Sequence, residues 1–220
     1  MNAPTLEGPW PNGWPGWGVD CSEYAPLDRA ALVELRSHGA SFLVARATEG
    51  VDPDPSFTAH VRYGTELGYA VGAYTFVLPP AASGIAWPKQ TTALETVTRP
   101  HADVLRLLAL DVENGRGRPV WTTADQPART VRAMLWRLYT ATRRRPWIYT
   151  YRSFFKQWLT TIPDVYPLWL SAFDRHATFP KLEGQVGRPV QLWQFGGGPL
   201  GGRPGARTVR KDVAPRPDPF

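Results

Sequence analysis

The chain of 220 residues has one cysteine, two methionines and four lysines, and no apolar run approaches the about 18 residues that a membrane span needs. A lone thiol, Cys21, excludes an internal disulfide framework and a cysteine-based zinc cage. It sits beside Asp20, whose charge would raise the thiol pKa, so Cys21 reads as an inert packed side chain. The four histidines, His38, His60, His101 and His176, show no metal-ligand spacing and read as surface or capping residues. Neither a G-x-S-x-G elbow nor a G-x-x-x-x-G-K-[ST] loop occurs. The triplet Gly196-Gly197-Gly198 follows a strand but precedes no helix, which argues against a dinucleotide site. No cofactor and no metal are expected. The first cationic residue is Arg29, and residues 1–17 carry Pro4, Pro9, Pro11 and Pro15 where a signal peptide would have an apolar run. The expectation is a protein without a signal peptide and without membrane insertion, brought to any extracytoplasmic substrate by something else.

What is present is a folded, aromatic-rich chain. Ten tryptophans and 43% hydrophobic residues exclude disorder, and glycine plus proline, at 20 and 23 residues, stay below low-complexity levels. The length fits one large domain or two small ones. The net charge is +6, and residues 199–220 supply half of it, with Arg203, Arg207, Arg210, Lys211 and Arg216 against Asp212 and Asp218. Arginine exceeds lysine 21 to 4, which suits anionic polymers and is equally explained by a GC-rich genome. No basic stripe interleaved with aromatics stands out, so no nucleic-acid partner is expected. Arg143, Arg144 and Arg145 read as a helix end, where cations meet the negative pole of the dipole.

Residues 1–17 read as an arm of polyproline character carrying Trp10, Trp14 and Trp17, either packed across one end of the domain or free to dock a partner. Beyond it, strands are predicted at 17–20, 42–48, 70–77, 105–113, 146–151, 167–173 and 190–195, with one final short strand in the tail. Helices are predicted at 27–38, 55–67 behind the potential N-cap Asp54, 91–98, 128–142 and 153–161. Strands alternating with helices at this density predict a single α/β domain, a small β/α barrel at residues 18–220.

The strongest chemical feature is Leu107-Leu108-Ala109-Leu110-Asp111-Val112-Glu113, followed by Asn114-Gly115-Arg116-Gly117. Side chains alternate along a strand, so Asp111 and Glu113 face one way and Val112 the other. Two carboxyls at the end of an apolar strand resist joint ionisation, and one is expected to keep its proton near neutrality, as a general acid must. The carboxyl ends of strands are where barrels place their chemistry. Asp20 ends the first strand, Glu49 follows the second, and Asp212 lies in the last apolar-flanked patch. Tyr74, Tyr149, Trp169, Trp193 and Phe195 sit at or near strand ends, where aromatic faces suit sugar rings and equally suit an ordinary core.

In order and spacing, Gly18-Val19-Asp20-Cys21-Ser22, Ala45-Arg46-Ala47-Thr48-Glu49-Gly50, Val71-Gly72-Ala73-Tyr74-Thr75-Phe76, Ala109-Leu110-Asp111-Val112-Glu113, Ile148-Tyr149-Thr150, Leu168-Trp169-Leu170-Ser171 and Leu192-Trp193-Gln194-Phe195 resemble glycoside hydrolase family 25, the Chalaropsis-type lysozymes. The resemblance covers residues 18 to about 213. It implies a flattened, irregular TIM-like β/α barrel and an N-acetylmuramidase that hydrolyses the β-1,4 bond between N-acetylmuramic acid and N-acetylglucosamine in bacterial peptidoglycan. It further implies Glu113 as proton donor, Asp111 as supporting carboxylate, and Asp20 and Asp212 as the remaining acids. Tyr74, Tyr149, Trp169, Gln194 and Glu49 are the candidate substrate contacts. The Asp-x-Glu arrangement resembles glycosidases that use the substrate's acetamido group, while nucleophilic and water-activating roles for the second acid stay open.

The sequence also departs from the family pattern. Thr75 stands where the family often has histidine, the 51–54 loop is short, and Lys211-Asp212-Val213-Ala214 replaces the usual closing motif. Together with the resemblance, the lack of a signal peptide and of wall-anchoring repeats and the arginine-rich composition lead to the expectation of a phage product, an endolysin held in the host cytoplasm until release or a lysin carried in the virion, with the arm as a candidate contact to virion proteins. The alternative is a barrel that binds wall glycan, or serves structurally in a virion, without turnover.

Overall fold

The computed structural model describes residues 17–172, 179–196 and 205–208. In chain order the elements are β1 (Trp17–Cys21), α1 (Arg29–Ser37), β2 (Ala40–Glu49), β3 (Asp52–Pro53), α2 (Phe57–Glu66), β4 (Ala70–Phe76), α3 (Pro80–Ser83), α4 (Trp87–Thr98), β5 (Leu105–Asp111), α5 (Pro127–Thr142), β6 (Trp147–Tyr151), α6 (Arg152–Phe154), β7 (Leu168–Ser171), α7 (Phe179–Val186), β8 (Leu192–Gly196) and β9 (Gly205–Thr208). The strands form one sheet in the order β1-β9-β8-β7-β6-β5-β4-β2-β3, and β1 also pairs with β2, so the sheet closes on itself. The pairings β1–β2, β2–β4, β4–β5, β5–β6, β6–β7 and β7–β8 around the ring are parallel, whereas the short β3 is antiparallel to β2 and β9 runs antiparallel to both its neighbours. Eight residues separate β8 from β9, too few for the crossover of a dozen or more that a parallel partner requires. The result is an irregular TIM-like β/α barrel, as expected.

Alternation along the strands divides the core into two layers. Phe42, Val44, Leu107, Ala109, Trp147, Tyr149, Trp169 and Leu192 fill the inside of the ring. The intervening residues, such as Leu43, Ala45, Val71, Ala73, Leu110, Ile148 and Leu170, meet Leu32, Leu35, Val61, Leu94, Met134, Leu135 and Leu138 of the helices. Gly18 faces the inner layer at close quarters: a Cβ there would lie 2.2 Å from the Phe42 carbonyl oxygen and 2.5 Å from its ring. Only glycine lets β1 and β2 pair with Phe42 turned inward.

Several boundaries differ from expectation for local reasons. The predicted 105–113 strand pairs only to Asp111, and Glu113 lies in the bend that follows. The helix predicted from Pro55 begins at Phe57: the Asp54 carboxylate accepts from the Ser56 N–H at 2.9 Å with Oδ1 and from Arg46 with Oδ2, and residues 55 and 56 form a turn ahead of the helix. α1 is capped by Asp28, whose Oδ1 accepts from the Ala31 N–H at 2.7 Å. The 91–98 helix starts earlier, at Trp87, with Pro88 in its first turn. The 153–161 segment is one α-turn running into a π-turn over Phe155–Leu159. β3, α3 and α7 had no counterpart in the sequence reading. α5 ends as foreseen before the arginine triplet, with Arg143 in the left-handed region at φ 56°. His60 is buried and not on the surface: its Nε2 accepts from the Leu27 N–H at 3.2 Å, and burial holds its pKa below the ordinary value. His38 caps α1, its ring nitrogen Nδ1 lying 2.8 Å from the Glu34 carbonyl. The arm at residues 1–16, His176 and the tail beyond 208 lie outside the described residues.

Candidate active site

Strand geometry brings the acids together. Asp20 lies near the end of β1, two residues from inward-facing Gly18. Asp111 ends β5, in phase with inward-facing Leu107 and Ala109, and is paired in register with Phe76 on one side and Tyr149 on the other. Val112 turns to the helix-side core, and its N–H donates to the Tyr149 carbonyl at 2.9 Å. Glu113, one residue on, returns to the inner side, close enough for its charge to act on Asp111. A cluster of three carboxyl groups thus opens at the C-terminal ends of the strands.

Electrostatics separate the three. Burial, followed by the charges of Glu113 and Asp20, pushes Asp111 well above the usual carboxylate range, and its Oδ1 is buried without a hydrogen-bond partner. Burial, with the charge of Asp20, raises Glu113 to about 7. Burial raises Asp20 to about 6, held down by the hydrogen bond from Gln194. Asp20 is therefore the first to ionise, while Glu113 carries a proton into the neutral range. A carboxylic acid beside a carboxylate is equipped to protonate a leaving oxygen and to stabilise the cation that departs.

The aromatic side of the cleft is continuous. Tyr149 packs edge-on to Trp169 with ring centroids 4.8 Å apart, and Tyr74 meets the same indole at 6.4 Å. The Tyr149 hydroxyl donates to Gln194 Oε1 at 2.6 Å, and Gln194 Nε2 donates to Asp20 Oδ2 at 2.8 Å. The Trp169 Nε1–H is buried without an acceptor. Burial pushes both tyrosine hydroxyls well above their ordinary pKa.

Opposite lies a cationic network absent from the sequence reading. Arg46 sits on β2 with 5% of its side chain exposed, donating Nε to Asp54 Oδ2 at 2.8 Å, Nη1 to Glu49 Oε2 at 2.9 Å and Nη2 to Glu23 Oε1 at 2.7 Å. Arg118, from the loop after Glu113, grips Glu49 with Nε 2.6 Å from Oε1 and Nη2 2.9 Å from Oε2. Both guanidinium groups lie over the Tyr24 ring, at 4.6 and 5.2 Å. Glu49 therefore ties the barrel wall to the loop carrying Glu113. The available signal was an arginine inside the otherwise apolar β2, because such a cation has to be matched by acids.

Of the sequence candidates, the structure gathers Asp20, Asp111, Glu113, Tyr74, Tyr149, Trp169 and Gln194 at one mouth, with Glu49 on its rim. Trp193 is turned the other way: its Nε1 donates to the Ala172 carbonyl at 2.7 Å and it packs on the helix-side core. Asp212 and the Phe195 side chain lie outside the described residues. Thr75 points away from the carboxylates, and its hydroxyl pairs with that of Thr48 at 2.6 Å. Cys21 is buried, and burial together with Asp20 and Asp54 raises its thiol well above the ordinary value. Among the described residues no three His, Cys, Asp or Glu side chains are grouped as a metal cage. No described helix is long and apolar enough to cross a membrane.

A closed β/α barrel whose strand ends present protonated acids beside a carboxylate, walled by aromatic rings, fits a glycoside hydrolase. The chain belongs to the glycosyl hydrolases family 25, whose model matches residues 19–198. The fold is shared with a muramidase from Trichobolus zukalii, at 24% identity and a TM-score of 0.70 over 89% of this chain and 94% of that one. The bacterial lysozyme from Streptomyces coelicolor is similar at 23% identity and a TM-score of 0.68, over 87% of each chain. The CTP1L endolysin matches at 18% identity and a TM-score of 0.64, covering 89% of this chain and 66% of that one. A comparison with curated protein sequences finds no match.

Proposed function

We propose that the protein is a lysozyme-type N-acetylmuramidase that hydrolyses the β-1,4 bond between N-acetylmuramic acid and N-acetylglucosamine in bacterial peptidoglycan. The observation that carries this reading is Glu113, a carboxyl raised to about 7 by burial and by the charge of Asp20, beside a second carboxyl at Asp111. Glu113 gives its proton to the glycosidic oxygen as the C1–O bond breaks. The substrate's own acetamido oxygen closes on C1, and Asp111 pairs with the acetamido N–H. Glu113, now ionised, takes a proton from the water that reopens the ring, and the acid is restored. Asp20 supplies negative charge to the developing cation, and Tyr74, Tyr149 and Trp169 form the wall on which a sugar face rests. Asp212 remains a proposed fourth acid.

The setting we favour is phage-mediated wall lysis, with residues 1–16 as an arm able to contact virion proteins, Trp17 belonging to β1 and packing on the core; the fold shared with the CTP1L endolysin is compatible with it. The test of the reaction is the release of new reducing ends from purified peptidoglycan. Glu113→Gln is expected to lower the rate by about 100- to 10,000-fold while wall binding persists. Equal rates for the variant and the parent overturn the assignment of the acid, and an inactive parent on several wall types favours a glycan-binding protein. Retention of configuration in the first product is expected for acetamido participation, and inversion excludes it.

A further inference from the structure

Gln194 is 6% exposed and both ends of its amide are engaged by protein, which leaves little of it for a ligand. The amide can sit two ways round. With Nε2 toward Asp20 it donates to Oδ2, and Oε1 accepts from Tyr149. Turned over, Oε1 would face a carboxylate oxygen at 2.8 Å, two acceptors in contact, unless Asp20 carried a proton and the Tyr149 hydroxyl gave up its donor role. That hydroxyl is buried, is itself hydrogen-bonded by Ser171, and has Gln194 Oε1 as its acceptor. Ser171, Tyr149, Gln194 and Asp20 therefore form one directional chain running from β7 through β6 and β8 to β1, each link polarising the next.

We propose that Gln194 is a positioning residue: with its amide held one way round by Tyr149, it fixes Asp20 as a hydrogen-bond acceptor at Oδ2, so that a proton taken up by Asp20 resides on Oδ1. Other groups facing Asp20 are Asp111 from β5, Glu113 from the bend after it, Tyr74 from β4 and Tyr149 from β6, with Cys21 on its own strand. Burial disfavours the Asp20 carboxylate, and its charge in turn raises Asp111 and Glu113. The Gln194 amide is the side chain whose hydrogen bond favours it. The kinetic consequence rests on the muramidase reading, whereas the placement of the proton does not.

The test is a carbon-detected NMR titration of the Asp20 carboxyl in the parent protein, Gln194→Met and Tyr149→Phe. Losing a hydrogen bond to the charged form is expected to raise the Asp20 midpoint by about one pH unit in Gln194→Met. A smaller rise is expected in Tyr149→Phe, where the amide is free to turn. In parallel, in Gln194→Met the acid limb of kcat/KM on soluble peptidoglycan fragments moves up with the Asp20 midpoint, and KM stays within about twofold. An unmoved midpoint in Gln194→Met overturns the proposal, as does an unmoved midpoint in Tyr149→Phe should the first variant not fold. A KM raised several-fold with the acid limb in place also overturns it, because it makes Gln194 a glycan ligand. An inactive parent enzyme defeats the muramidase reading alone and leaves the titration readable.

Discussion

Arg46 and Asp54 carry the highest electrostatic stakes at the scale of single residues. The Asp54 side chain is fully buried, and Arg46 is 5% exposed. Burial alone would raise the Asp54 pKa, yet the Ser56 hydroxyl, the Glu23 and Ser56 amides and the Arg46 guanidinium together hold it below the usual range. Removing one partner of such a pair strands the other charge in a poorly solvated site. Arg46→Met is therefore expected to cost about 3–5 kcal/mol in urea denaturation. Adding Asp54→Asn should recover part of that loss, which a double-mutant cycle would read directly. Additive losses in the cycle would mean that the two residues act independently.

The elements explain how such a charged pair fits a barrel wall. Along β2, Phe42, Val44 and Arg46 face inward, so strict alternation would send Glu49 outward. The register with β4 slips at Ala47: Arg46 pairs with Tyr74, whereas Thr48 pairs with Thr75 and Glu49 with Phe76. This extra residue reverses the phase and turns Glu49 to the side of Arg46 and Arg118. At the end of α5 a second local irregularity brings a cost. Arg143 adopts φ 56°, and its N–H bonds the Tyr139 carbonyl at 2.8 Å, a conformation that suits glycine. Arg143→Gly removes the Cβ penalty, and is expected to stabilise the protein by about 0.5–1 kcal/mol in the same urea assay. A loss of stability there would show that the arginine side chain matters more than its backbone strain.

For the whole molecule, the mouth of the barrel makes stability depend on pH. Glu113 moves from 4.5 to about 7 on folding, and Asp20 from 3.8 to about 6, so the native state binds more protons between those values. Stability from these groups is full below about pH 4 and is lost as pH rises through 6 and 7. Asp54 has the opposite sign, with a lowered pKa whose contribution is present at neutral pH and lost only in stronger acid. Melting curves should therefore show Glu113→Gln more stable than the parent by about 3–6 °C at pH 8, a difference that vanishes near pH 4. A difference independent of pH would refute the raised Glu113 pKa. On the proposed mechanism kcat/KM is expected to be bell-shaped, with Asp20 ionised above about 6 and Glu113 protonated below about 7.

The sequence by itself determined the class of fold and the address of the candidate site, because alternation and helical periodicity are local and the Asp111-Val112-Glu113 triplet places two carboxyls side by side at a strand end. The single thiol, the absent metal spacings and the ordered family motifs were equally legible. Tertiary structure alone decided which carboxyl keeps its proton, since burial and mutual repulsion depend on groups contributed by β1 and β5 together. The same holds for the Arg46 network, which spans the β1 loop, β2 and the loop after β5, and for the bulge that turns Glu49. Trp193 and Gln194 are adjacent in sequence, yet one packs under the helices and the other holds Asp20. Their phase is fixed only when β8 takes its register against β7, a long-range pairing that no window of sequence contains.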